Sequence, residues 1–260
     1  MKRVIFNLKG GVGKTSITCN LAAISARQGL KTLVVDLDPQ ANSSHYLLGR
    51  PAVEFKDNLA VFFEQMLSFS MFSRKVEDFI YPTPFDHLHV MPSSPELNLI
   101  EHKLVAKHKL YKLKSTLSRL TGEYDRIYID TAPALNFYTH SALVAADRCL
   151  IPFDCDDFSR QALYTIIGEI QEIQEDHNPD LRIEGIVVNQ FDGRARLPTQ
   201  LVDELIEEGL PVLPTRLSSS VVMRESHQVR TPLIHLAPGH PLTTRFKQLH
   251  SVLREESVTS

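Results

Sequence analysis

The segment Lys9-Gly10-Gly11-Val12-Gly13-Lys14-Thr15 has the residue types and spacing to bind phosphate. Its glycines admit positive φ and let backbone N–H groups close on an anion. An apolar run at residues 4–8 precedes it, and Ile17, Leu21 and Ile24 follow at helical spacing. The loop therefore joins a strand to a helix N-terminus, which aims amides and the helix dipole at a phosphate. Lys14 then reaches the β- and γ-phosphates, and the Thr15 hydroxyl ligates Mg²⁺. The G-x-x-x-x-G-K-[ST] pattern fails at one residue, since Leu8 stands where its first glycine belongs. A second lysine, Lys9, lies five residues before Lys14.

Three carboxylates extend this chemistry. Asp36 closes the apolar run 32–36, Asp38 follows in Asp36-Leu37-Asp38-Pro39-Gln40, and Asp130 closes the run 127–130. Each is expected at the carboxyl end of a parallel strand, where open α/β sheets bind ligands. An aspartate there can hold Mg²⁺ through water. Alone, each is more often a helix cap or turn residue. With Lys14 and Thr15 present, the metal reading is preferred for Asp130 and Asp38.

The elements that must position these residues can be read from periodicity. Apolar runs at 4–8, 32–36, 88–91, 127–130, 149–152 and 186–189 read as buried parallel strands. Between them lie a helix stopped by Gly29, a long helix over 96–120 broken near Lys109, and helices over 162–175 and 199–208. Phe62, Phe63, Met66, Phe69 and Phe72 in 60–72 have the helical spacing of core residues. Phe246, Leu249 and Leu253 mark a terminal helix that faces the core. Alternating strands and helices predict a doubly wound α/β fold with a mostly parallel sheet, in one domain spanning 1–260.

Composition narrows the classes. The chain has 260 residues, 43% hydrophobic and 23% charged, which is ordinary globular composition. No apolar run approaches the ~18 residues of a membrane span, and the apolar start at Val4–Phe6 is too short for a signal peptide. Three cysteines without a C-x-x-C pair argue against a disulfide framework or zinc site and for the cytosol. The net charge of −3 hides an uneven distribution. Residues 101–120 carry six basic side chains against one acid, residues 150–210 four against fourteen, and residues 216–254 six against one. Such asymmetry marks either a polyanion-binding face or solvated helix faces.

Taken together, the sequence resembles the ParA/MinD family of P-loop ATPases, which partition plasmids, chromosomes and other cargo. The resembling segments are KGGVGKT (9–15), VVDLDPQAN (34–42), MPSSPEL (91–97), YDRIYIDTAP (124–133), GIVVNQFD (185–192) and RLS (216–218). They run in the family's order across nearly the whole chain. The resemblance implies an ATP-sandwich dimer using ATP and Mg²⁺. Nucleotide contacts are expected from Lys9, Gly10, Gly11, Val12, Gly13, Lys14, Thr15 and Ser16, with Asn189 reading adenine. Lys9 is similar to the signature lysine that crosses to the partner's nucleotide, adding positive charge as an arginine finger does. Asp38 is similar to the residue that orients the attacking water, and Thr15, Asp36 and Asp130 would serve Mg²⁺. After Asp130 the chain reads Thr-Ala-Pro-Ala-Leu-Asn where many members have Thr-Pro-Pro-Ser-Leu-Gly, so Ala132 and Asn136 are departures.

Within the family three classes compete. A nitrogenase-like reductase needs cluster cysteines, and none lies between Asp130 and Cys149. A MinD-type membrane-cycling ATPase needs a basic amphipathic tail, whereas this sequence ends Glu-Glu-Ser-Val-Thr-Ser. Metabolic enzymes sharing the fold usually lack the signature lysine. The expectation is therefore a ParA-type ATPase that binds double-stranded DNA non-specifically and positions a cargo with a ParB-like or other adaptor protein, without stable membrane association. It would be cytoplasmic and associated with the bacterial nucleoid when ATP-bound. Arg216, Arg224 and Arg230, with Arg194 and Arg196, are the candidate DNA contacts. No helix-turn-helix stands out near the N-terminus, so operator-specific binding is not expected.

Overall fold

In the computed structural model, which describes residues 1–51, 54–67, 74–155 and 159–255, one seven-stranded sheet organises the chain. Its strands are β1 (Lys2–Ile5), β2 (Thr32–Asp36), β3 (Tyr81–Pro82), β4 (Leu88–Met91), β5 (Arg126–Asp130), β6 (Arg148–Asp154) and β7 (Arg182–Asn189). The spatial order is β3-β4-β2-β5-β1-β6-β7. All neighbours run parallel except the short edge strand β3, which is antiparallel to β4.

The parallel strands are buried on both faces, so their residues read as continuous apolar runs. Leu33, Val34 and Val35 are all inaccessible. Successive side chains alternate between two layers. Val4, Leu33 and Ile129 meet α3 (Leu59–Gln65), α4 (Leu97–Ala106), α5 (Lys112–Leu120), α6 (Phe137–Ala145), α7 (Ser159–Asp176) and α8 (Arg196–Glu207). Ile5, Val34 and Tyr128 meet α1 (Lys14–Arg27), α2 (Asn42–Leu48), α10 (Leu233–Leu236) and α11 (Pro241–Glu255). Helix α9 (Val221–Gln228) packs Val222 and Met223 against this second layer.

The predicted strands over 32–36 and 88–91 match β2 and β4 residue for residue. The first strand ends at Ile5 rather than Leu8, because Asn7 already belongs to the turn: its Nδ2 donates to the Pro152 carbonyl at 2.6 Å and its Oδ1 accepts from the Lys9 amide at 2.8 Å. The helix over 96–120 is two helices, with His108 at φ 51° in the break. Phe62 and Phe63 are core residues, whereas Phe69 and Phe72 lie outside the described residues, as does Glu256 in the tail. Phe246, Leu249 and Leu253 are buried, so the terminal helix faces the core.

One charged pair sits inside the fold. Arg3 on β1 makes two 2.5 Å contacts with Glu184 on β7, and both side chains are almost wholly buried. Arg3 also donates to the Tyr128 hydroxyl, which contacts Ser25, and Ser25 contacts His250 at 2.9 Å. The network ties β1, β5 and β7 to α1 and α11.

Candidate active site

The sheet register brings the sequence-predicted carboxylates to one edge. Asp36 pairs with Asp130, and Ile5, the last residue of β1, also lies opposite Asp130. The loop then crosses above this edge into α1. Gly11 (φ 78°) and Gly13 (φ 93°) have the positive φ that glycine tolerates. At Gly13 the requirement is also steric, since a Cβ would stand 2.2 Å from the Asn189 side-chain nitrogen.

The two loop lysines point to different surroundings. Lys14 is 7% exposed, and its ammonium donates to the Lys9 carbonyl at 2.9 Å. Burial lowers its pKa, and the charges of Asp130 and Asp38 push back against that shift. The Lys9 side chain is a third exposed and places Nζ 2.7 Å from Asp154 at the end of β6.

Asp130 accepts from Thr15 Oγ1 at 2.8 Å and from Ser43 Oγ at 2.6 Å. Asp36 accepts from the Ser44 amide at 2.7 Å and the Ser44 hydroxyl at 2.6 Å. Both carboxylates are inaccessible. Burial raises Asp36 to about 8 and Asp130 to about 6, with the Asp130 charge adding to the rise at Asp36. Asp38 is nearly buried; its Oδ1 accepts from the Gln40 amide at 2.9 Å, and its own amide donates to Asp36. Burying two neighbouring acids is costly unless a cation compensates them. With the Thr15 hydroxyl already on Asp130, this oxygen donor set suits Mg²⁺, a hard cation.

Beside the loop lies a cleft of about 320 Å³ between Gly11, Gly13, Ser16, Asn189, the serines Ser218–Ser220 and α9. Asn189 closes β7 and donates from Nδ2 to the Val12 carbonyl at 2.8 Å. Gln190 donates to the Gly11 carbonyl, and Ser16 contacts His227 at 3.0 Å. Arg224 lines the same cleft and is exposed. The other arginines are placed apart: Arg216 stacks over Phe191 and lies 3.9 Å from Asp203, and Arg230 donates to the Gly49 carbonyl. Arg194 and Arg196 are exposed on the approach to α8.

Sequence reasoning missed Ser43 and Ser44, which hold the two buried aspartates, and the serines of the cleft. The run Asn42-Ser43-Ser44 directly after Asp36–Gln40 was the available signal for the first pair, and Ser218-Ser219-Ser220 for the second.

The model of an AAA domain family (AAA_31) matches residues 2–183. A chromosome partitioning protein ParA of Myxococcus xanthus is 36% identical over 202 residues, covering 77% of this chain and 69% of its own. The chain belongs to the ParA/MinD family of P-loop ATPases. The sporulation initiation inhibitor protein Soj of Bacillus subtilis is 33% identical, with 77% of each chain covered. Among solved structures, apo McdA of Cyanothece superposes with a TM-score of 0.83 over 97% of this chain and 98% of its own at 22% identity. The MinD cell division ATPase of Pyrococcus furiosus superposes at 0.78 over 98% of each chain at 24% identity. These last two likenesses establish the shared ParA/MinD fold. Cobyrinic acid a,c-diamide synthase of Mycobacterium smegmatis, solved with ADP and magnesium, has the same fold at a TM-score of 0.76 over 92% of this chain and 96% of its own, with 24% identity.

Proposed function

We propose that this ParA/MinD-family ATPase forms an ATP-sandwich dimer, binds duplex DNA of any sequence and positions a cargo through hydrolysis that an adaptor protein stimulates. The observation that carries the reading is the division between the loop lysines. Lys14 lies within the phosphate loop, beside the carboxylates of its own chain. Lys9 lies outside, paired with Asp154, and in this reading it exchanges that carboxylate for a phosphate of a facing protomer. The M. xanthus and B. subtilis relatives support a partitioning role.

In this reading residues 9–16 cradle the triphosphate with backbone amides and Lys14. Thr15 and Asp130, with Asp36 behind them, hold Mg²⁺, which neutralises charge on the phosphate oxygens. Asp38 orients the attacking water. The base occupies the cleft beside Asn189, whose side-chain amide and the neighbouring serines offer donors and acceptors to its edge. Lys9 of the facing protomer adds charge where it develops during transfer.

DNA contacts come from Arg224 at the cleft, with Arg216 and Arg230 on either side of it in sequence. Dimerisation doubles the contacts on one duplex, so avidity rises without any new contact. Among the described residues no helix is long and apolar enough to cross a membrane, and the proposed location is the cytoplasm, on the nucleoid when ATP is bound.

The test is a gel shift on unrelated duplexes with ATP, ADP or no nucleotide, run beside flotation with anionic liposomes. ATP-dependent DNA binding, falling with salt at a log–log slope of roughly −0.9 per phosphate contact, is expected. Liposome binding without DNA binding would move the protein to the membrane-cycling class. Neither interaction, in a protein that dimerises on ATP, would favour a metabolic enzyme.

A further inference from the structure

Helix α9 touches the start of α1 through a histidine. Nε2 of His227 lies 3.0 Å from Oγ of Ser16, the third residue of α1. The ring meets Tyr46 of α2 edge-on, with centroids 4.9 Å apart, and lines the cleft beside Asn189. Other contacts already hold this region in place. Tyr46 contacts Ser226, Ser226 donates to the Thr231 carbonyl at 2.6 Å, and Asn20 on α1 accepts from the Leu233 amide at 2.8 Å. The link from His227 to Ser16 is therefore additional to the docking of α9.

Of the first three residues of α1, Ser16 alone lines the cleft; Lys14 turns to the Lys9 carbonyl and Thr15 to Asp130. With phosphates on the loop and the base in the cleft, Ser16 stands where the two meet. The phosphate it faces is then the one joined to the sugar. A serine hydroxyl has one proton to give. Before nucleotide binds, Ser16 can give it to His227 Nε2. Once Ser16 gives it to a phosphate oxygen, the contact survives only if Nε2 carries a proton and donates to Oγ.

We propose that His227 is a positioning residue for the nucleotide: it donates to Ser16 Oγ, aims that hydroxyl at the phosphate next to the sugar, and so ties phosphate occupancy to α9. This rests on the nucleotide placement proposed above. Burial holds the ring below the ordinary histidine value of 6.5, so it is neutral at pH 7 before the ligand arrives. The groups around it are Ser16 on α1, Tyr46 on α2, which burial keeps protonated, and Arg224 in the cleft. None of these carries negative charge. A phosphate supplies it and raises the pKa of the ring. A group whose pKa rises on binding takes up a proton with the ligand, so affinity increases as pH falls.

The experiment uses the full chain, isotope-labelled at histidine nitrogens and free of Mg²⁺, with AMP, ADP or adenosine as probes. The His227 resonances, assigned by their loss in His227→Gln, should titrate at higher pH with AMP, to the same extent with ADP, and unchanged with adenosine. From about pH 8 to about pH 5, AMP affinity should rise up to about tenfold more in the wild type than in His227→Gln, whose amide can donate to Ser16 but cannot take up the proton. Titration of the ligand phosphate, Asp36 and Asp130 is common to both proteins and cancels. His227→Ala should lose roughly fivefold in AMP affinity at neutral pH, the worth of one hydrogen bond, and none for adenosine. An unchanged His227 titration with AMP, or full AMP affinity in His227→Ala, would overturn the proposal. So would the same shift with adenosine, which would assign the response to the base, or a shift with ADP alone, which would put a later phosphate at Ser16. If AMP and ADP bind without moving the Gly11 and Gly13 amide resonances, the loop placement itself fails; movement there with a silent His227 removes only this inference.

Discussion

Replacing Gly13 by alanine sets two costs against each other, and both can be worked from the structure. At φ 93° a Cβ meets its own backbone, which costs roughly 1–2 kcal/mol for a left-handed L-residue. The same Cβ would lie 2.2 Å from Asn189 Nδ2, so the amide must withdraw and lose its 2.8 Å hydrogen bond to the Val12 carbonyl. That bond is worth about 1 kcal/mol. Gly13→Ala should therefore cost about 2–3 kcal/mol in nucleotide-free protein. Asn189→Ala alone should cost about 1 kcal/mol, by removing the bond. In the double variant the clash is gone, but the strained φ and the missing bond remain, so the total should equal that of Gly13→Ala alone. Asn189→Ala should thus be nearly neutral in the alanine-13 background, a coupling of about 1 kcal/mol. Urea unfolding of the four proteins measures this directly. Equal costs of Asn189→Ala in both backgrounds would show that Gly13 is required for its φ alone.

Lys14→Ala should abolish ATP binding, whereas Lys9→Ala should retain it and lose ATP-dependent dimerisation; calorimetry and sedimentation separate the two. Asp38→Ala should bind ATP and remain a dimer with turnover reduced by roughly 10²-fold or more, and wild-type turnover would remove Asp38 from the mechanism. Glu184→Gln leaves the Arg3 charge buried without its counter-charge and should destabilise the fold by about 3–5 kcal/mol, read as a lowered denaturation midpoint. The raised Asp36 carboxyl predicts a pH dependence: its contribution to stability is complete below the unfolded value of 3.8 and is lost as pH rises through about 8. Nucleotide-free protein should therefore melt at progressively lower temperature over that interval, and Asp36→Asn should flatten the trend.

The local sequence disclosed this site wherever its geometry is local. The phosphate loop was readable because one stretch contains the strand end, the glycines and the helix start. Asp36 and Asp130 were readable because each closes an apolar run, and strand ends in a parallel sheet share one edge. Short or amphiphilic elements were not. Helix α2 (Asn42–Leu48) has only seven residues, too few for periodicity to declare itself, yet it carries Ser43 and Ser44 onto the aspartates. Strand β3 has two residues and exists only because β4 offers it an edge. The Arg3–Glu184 pair spans 181 positions, and nothing in the local pattern announces it. Arg216 read as a candidate DNA contact, and its neighbours Phe191 and Asp203, which it lies over and near in the fold, were not legible locally.

The buried hydroxyls explain how the site can exist before its ligand arrives. Two adjacent carboxylates with no exposure would be untenable if both were charged and unpartnered. Ser44 gives Asp36 two donors, and Ser43 with Thr15 gives Asp130 two more. These bonds lower both pKa values, but burial outweighs them. The free site therefore holds a proton on Asp36 at neutral pH that a divalent cation would displace. Thr15, Ser43 and Ser44 donate from hydroxyls, which can rotate and serve either protonation state, so the same partners support the site before and after the exchange. Thr15→Val keeps the shape and removes one such donor. It should raise the Asp130 pKa further and weaken Mg²⁺-dependent ATP binding more than Mg²⁺-free binding, a difference that isothermal titration with and without the metal would measure. Equal losses in the two titrations would assign Thr15 to the phosphate rather than to the metal.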